Sequence, residues 1–91
     1  MTERLISAAI ERNGQIWKGH KSHWELRDAR GDLDASRRQM DDNEGFWTSN
    51  DRFVTRDEAR KIGLASGQLP PMWARGGREL LSSDINWDAK L

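Results

Sequence analysis

The stretch GFWTSNDRFVTRDEARKIGLASG, Gly45–Gly67, decides the fold. Its first four residues, Gly45-Phe46-Trp47-Thr48, are rich in aromatic and β-branched side chains and predict a strand. Ser49-Asn50-Asp51 supplies turn residues, and Arg52-Phe53-Val54 returns as a second short strand. Thr55 then opens a helix. Its hydroxyl is placed to accept from the Glu58 N–H, and the Glu58 carboxylate from the Thr55 N–H, a reciprocal capping box. Gly67 stands where a left-handed helix end belongs, and Pro70-Pro71 forbids continuation. Between the caps, Ala59, Ile62 and Ala65 or Ser66 form a stripe flanked by Leu64, while Arg56, Asp57, Arg60 and Lys61 mark the solvated side.

Working outward, residues 5–18 (LISAAIERNGQIWK) permit two readings. As a helix, Thr2 caps it, Leu5, Ile6, Ala9 and Ile10 form its stripe, and Asn13-Gly14 stops it. As a hairpin, Ile6, Ala8 and Ile10 alternate with Ser7, Ala9 and Glu11, and Asn13-Gly14 makes a type I′ turn. The β-type run Gln15–Lys18 needs a partner strand, and this favours the hairpin. Ser22 followed by Glu25 is a second capping box, opening a polar helix from His23 to about Arg30 with Gly31 at its end and Trp24 and Leu26 as its apolar residues.

The segment from Asp32 to Glu44 is charged, with room for one helical turn over Asp34–Met40 or for a solvated connection. Residues 69–77 (LPPMWARGG) form an irregular linker by composition, in which Trp73 is either a plug over the core or a contact to another subunit. No internal repeat and no low-complexity segment is apparent. The expected fold class is therefore α+β: a single domain over residues 1–91, a small antiparallel sheet built from hairpins, with two to three helices packed on it.

Composition narrows the function classes. A chain of 91 residues buries only about 60–65% of the surface its unfolded form exposes. There are no cysteines to staple it, and hydrophobic residues make up 35%. Five tryptophans compensate in part. Association of subunits would bury more, so a homo-oligomer, a dimer or higher, is expected. Fifteen basic residues cancel fifteen acidic ones, which argues against DNA or RNA binding by bulk charge. No run of ~20 apolar residues spans a membrane and no signal peptide is apparent, so the cytoplasm is the expected location.

No nucleophile elbow, phosphate loop, dinucleotide-binding glycine pattern or HExxH is present, and an enzyme is not expected. His20 and His23 have the spacing of a zinc pair on a helix, but no third ligand accompanies them, and neither a metal nor another cofactor is expected. Binding chemistry gathers around the central turn. Trp47 offers a stacking face, Thr48, Ser49 and Asn50 offer short hydrogen-bonding groups, and Arg52 and Arg56 offer forks for phosphate oxygens. These suit a small nucleotide-like anion, although adjacent Phe46 and Trp47 point to opposite faces of a strand and at least one of them is core.

The same stretch resembles a pattern of small phage-encoded proteins, G-F-x-T-S-x-x-R-F-V-x-R-x-E-A-x-x-I-A-x-x-x-G-Q. It is met at Gly45, Phe46, Thr48, Ser49, Arg52, Phe53, Val54, Arg56, Glu58, Ala59, Ile62, Gly67 and Gln68, with Gly63 in place of an alanine. A closing L-x-S-E-D-L-W is met at Leu81, Ser83 and Asp84, with Trp87 nearby. The nearest functional group is the Thoeris anti-defence sponge family. That resemblance implies a non-enzymatic oligomer in the host cytoplasm that sequesters a cyclic ADP-ribose-type or cyclic oligonucleotide immune signal. It further implies adenine stacking on Trp47 or Phe53, a diphosphate held by Arg52 or Arg56 with Lys21, and ribose contacts from His23, Asn50 and Asp84; Thr48 completes the set. The alternative is a protein-protein inhibitor such as an anti-CRISPR, covering its target with exposed Trp73, Trp87 and the acidic run Asp41-Asp42-Asn43-Glu44.

Overall fold

The computed structural model describes residues 2–89. Four strands, β1 (Leu5–Arg12), β2 (Gln15–Lys18), β3 (Asn43–Thr48) and β4 (Phe53–Val54), form one antiparallel sheet in the order β2-β1-β3-β4. Helices α1 (His23–Arg30) and α2 (Arg56–Ser66) follow the two hairpins, and two 3-10 helices, Pro71–Arg75 and Ser82–Asp84, complete the described chain.

Residues 5–18 are the hairpin, with Arg12 opposite Gln15 and both turn residues in the left-handed region, Asn13 at φ 51° and Gly14 at φ 84°. Positive φ at both central positions is what a type I′ turn requires, and Asn-Gly supplies it with little strain. Both caps form. Thr55 Oγ1 accepts from Glu58 N at 3.2 Å while Glu58 Oε1 accepts from Thr55 N at 3.1 Å. Ser22 Oγ accepts from Glu25 N at 3.1 Å, but the Glu25 carboxylate takes the Ser22 hydroxyl instead of its backbone N–H. Left-handed Gly31 and Gly67 end the helices.

Cross-strand partners Ala8, Phe46 and Val54 share one face of the sheet, and both helices pack on it. Leu26 of α1 meets Ala8 and Ile10, and Ala59 of α2 joins Leu5, Phe46 and Val54. Trp24, the other apolar residue of α1, is 51% exposed. The result is a strand-strand-helix unit traversed twice. The two units meet at the antiparallel β1–β3 pair, so the topology repeats about an approximate two-fold even though the sequence shows no repeat.

The 69–77 linker is more ordered than its composition suggests. Pro71–Arg75 forms a 3-10 helix whose Trp73, 5% exposed, joins Leu69, Leu80 and Ile85 in closing the core. Trp73 is thus the plug and not a subunit contact. Gly63 explains the departure from alanine: a Cβ there would lie 2.7 Å from Leu69 Cδ1. Gln68 acts like a fragment of a strand, accepting from Leu5 N and donating to Leu5 O, both at 2.8 Å. The segment Asp34–Met40 makes turns and no helix. Among the described residues no helix is long and apolar enough to cross a membrane.

Between the helices runs a charged seam. Glu44, its side chain 6% exposed, pairs with Arg27 of α1 and with Arg56 of α2, the latter at 3.0 Å. Asp42 beside it receives Arg30 at 2.7 Å and Arg12 at 2.8 Å. Burial pushes the Asp42 carboxyl up, but the two guanidinium groups together hold it below the usual range.

Candidate functional site

The sheet face turned away from the helices carries Ser7, Ala9, Gly45, Trp47 and Phe53, by strand alternation and register. Its middle is made of small residues. Ala9 is fully buried and Ser7 is 4% exposed, although no helix lies over them. The Phe53 ring closes over Gly45, where a Cβ would sit 2.7 Å from the ring and 2.1 Å from the Val54 carbonyl oxygen. Only glycine admits that approach.

At the end of this face where β1 begins lies a groove of about 550 Å³ lined by Ile6, Ser7, Lys18, Gly19, Lys21 and Trp47. Its wall is the β2–α1 connection. Gly19, at φ 105°, lets the chain turn back, its N–H donating to Ser7 Oγ at 3.3 Å, while the Ala8 N–H donates to the His20 carbonyl at 2.9 Å. This places Lys18 Nζ 4.0 Å from the Trp47 ring centroid, and Lys21 reaches the Trp87 ring at 5.5 Å. An indole face, two flexible cations and an apolar flank from Ile6 form one recess, suited to an aromatic anion.

Of the residues expected from the sequence, the groove gathers Trp47 and Lys21. Phe53 and Arg56 line a different groove, of about 670 Å³, with Glu11, Asp57 and Glu79. Thr48 and Arg52 serve Glu3. Arg52 Nε and Nη2 donate to its carboxylate at 2.8 and 2.9 Å and Thr48 Oγ1 at 2.5 Å, which together lower the Glu3 pKa to about 2. Asn50 sits in the turn, its N–H donating to Thr48 Oγ1 at 3.2 Å. Arg56 is not on a solvated face: it meets Glu44, Glu79 and the Leu80 carbonyl. His23 is buried, with Nε2 2.8 Å from the Gly45 carbonyl. A carbonyl only accepts, so Nε2 holds the proton, and burial depresses the His23 pKa. Asp84 Oδ2 accepts from Leu81 N at 2.9 Å.

The surface expected for capping a protein target does not form. Trp73 is core, Trp87 is half-buried 6.3 Å from the Phe46 ring, and Asp42 and Glu44 are held in ion pairs; only Asp41 and Asn43 of the acidic run are exposed. Nor do the two histidines pair, since His20 lies half-exposed at 3.5 Å from Glu25 while His23 is inside.

Sequence reasoning missed Ser7, Lys18 and Gly19. Their signal was present in Trp17-Lys18-Gly19-His20-Lys21, a basic run beside an aromatic after a hairpin, but the groove needs Trp47 from β3, which only the register brings to Ser7.

Residues 12–86 match the family described as Phage T4 y16D protein, and the chain belongs to that family. No curated protein and no solved structure matches.

Proposed function

We propose that this member of a phage family is an anti-defence protein that binds a nucleotide-derived immune signal, of the cyclic ADP-ribose or cyclic oligonucleotide kind, and sequesters it without turnover in the host cytoplasm. The observation that carries the reading is the convergence of Trp47, Lys18 and Lys21 on one groove. Phage membership supports it, as does the resemblance of residues 45–68 to Thoeris anti-defence sponges.

In this mechanism a base displaces the Lys18 ammonium from the Trp47 ring, and the released lysine follows the phosphate. Lys21, from the β2–α1 connection that follows Lys18, supplies the second cation, and Ser7 lines the same groove. Inhibition then scales with the number of protein copies, because each bound signal is withdrawn and not consumed. Arg52 and Arg56 stabilise the scaffold in this reading, and the phosphate falls to the lysines.

Calorimetric titration with cyclic ADP-ribose isomers and cyclic oligonucleotides tests it. Binding by the parent is expected, with Trp47→Ala weakening it roughly 10–100-fold, since base stacking is worth ~1–3 kcal/mol. Arg52→Ala is expected to bind as the parent does. No heat across the whole panel would end the sequestration reading, and recovery of a cleaved ligand after denaturation would make the protein an enzyme.

A further inference from the structure

Lys18, one of the two cations of the Trp47 groove, also borders a second recess. β2 is the last strand of the sheet and pairs only with β1, so its outer edge is free. Between that strand and α1 lies a groove of about 490 Å³, walled by Ile16, Trp17, Leu26 and Ala29, with Lys18 and His20 as polar members. Trp17 stands opposite Ile10 and Lys18 opposite Ala9, so the two side chains leave the edge strand on opposite faces. Lys18 lines both grooves, and they meet across it.

The two recesses differ in charge. Lys18 and Lys21 enter no ion pair among the described residues, which leaves the first groove with two free cations. In the second, the Arg30 guanidinium lies 4.7 Å from the Trp17 ring centroid but is held by Asp32 and Asp42, each at 2.7 Å, and His20 Nδ1 lies 3.5 Å from Glu25. Apart from Lys18 it is therefore a neutral slot with aromatic and aliphatic walls. Such a slot suits a flat, uncharged ring whose attached anion lies at the lysine. We propose that this groove is a second base subsite, and that the sequestered signal is a cyclic dinucleotide. One base lies over Trp47, the other against Ile16, Trp17 and Ala29, and a bridging phosphate sits at Lys18. The inference rests on the sequestration reading and narrows it, because a cyclic ADP-ribose carries one base and leaves the second groove unfilled.

Calorimetric titration with cyclic di-AMP and cyclic di-GMP, and with AMP and cyclic ADP-ribose as one-base ligands, tests it. A cyclic dinucleotide is expected to bind the parent roughly tenfold or more tighter than either one-base ligand, the effect of one further base contact. Ala29 is exposed on α1, and Ala29→Trp fills the second groove with a side chain of its own. That variant, with circular dichroism and thermal midpoint as in the parent, is expected to lose the dinucleotide advantage, and Ala29→Glu, a smaller change, to reduce it. A one-base ligand that binds the parent as tightly as both dinucleotides overturns the second subsite and leaves sequestration standing. So does a folded Ala29→Trp that keeps the advantage. Absence of heat from all four ligands overturns both readings.

Discussion

Glu44 is one carboxylate serving two guanidinium groups in a nearly closed space. Replacing it by glutamine keeps the shape and removes the charge, leaving Arg27 and Arg56 without their common anion; breaking such a pair costs roughly 3–5 kcal/mol. Chemical denaturation of Glu44→Gln is expected to show a loss of that order, and a change under about 1 kcal/mol would mean the arginines relax into water. His23, beside the same seam, is neutral inside the fold because burial, with Arg27 and Arg56 near it, outweighs Glu44 and the Gly45 carbonyl. Its unfolded counterpart takes up a proton near pH 6.5. Below that pH the unfolded state binds more protons, so this contribution is complete above 6.5 and is lost as the pH falls through it. A thermal midpoint that drops between pH 7 and 5.5 in the parent, and drops less in His23→Gln, is the expected result. The seam itself was not legible. Arg56 falls on the polar side of the α2 pattern and reads as solvated. What holds it instead is Glu44 together with the Glu79–Leu80 segment, both distant in sequence, whose side chain and carbonyl meet its guanidinium.

At the scale of elements the sequence was most readable where the signals are local. The Thr55–Glu58 box, Asn13-Gly14 and the glycine helix ends need only neighbouring residues, and all occupy the expected places. Thr55→Ala is accordingly expected to cost about 1 kcal/mol in denaturant titration, the usual value of an N-cap. Residues 69–77 misled for the converse reason. Pro-Pro and Gly-Gly do break regular structure, but a 3-10 turn fits between them, and the buried tryptophan it carries depends on core contacts with no local signature. Trp73→Ala is expected to cost about 3–5 kcal/mol, and a loss no larger than that of an exposed residue such as Trp24 would contradict its place in the core.

For the molecule as a whole, the N-terminal segment is tied to the second unit through Glu3. Its carboxylate accepts from Arg52 and Thr48, and its lowered pKa means that this stabilisation is complete above the ordinary 4.5 and is lost as the pH falls toward about 2. Glu3→Gln is therefore expected to be less stable than the parent at pH 7 in denaturant titration, by an amount that shrinks as the pH falls from 4.5 toward about 2; a difference that stays constant across that range would contradict the pair's role. The candidate groove shows why sites are harder to read than elements. Its walls come from residues 6–7, 18–21 and 47, and they converge only after both hairpins have formed and β1 has found β3.

Glu44 also bears on how the protein breathes. Because one anion is bound by both helices, opening either of them strips the other of its counter-charge, and neither can come away alone at small cost. The amide protons of α1 and α2 should thus exchange with solvent at a shared free energy, as one cooperative unit, although α1 is short and polar enough to be expected to fray first. In Glu44→Gln that coupling is removed, and α1 should exchange well ahead of α2.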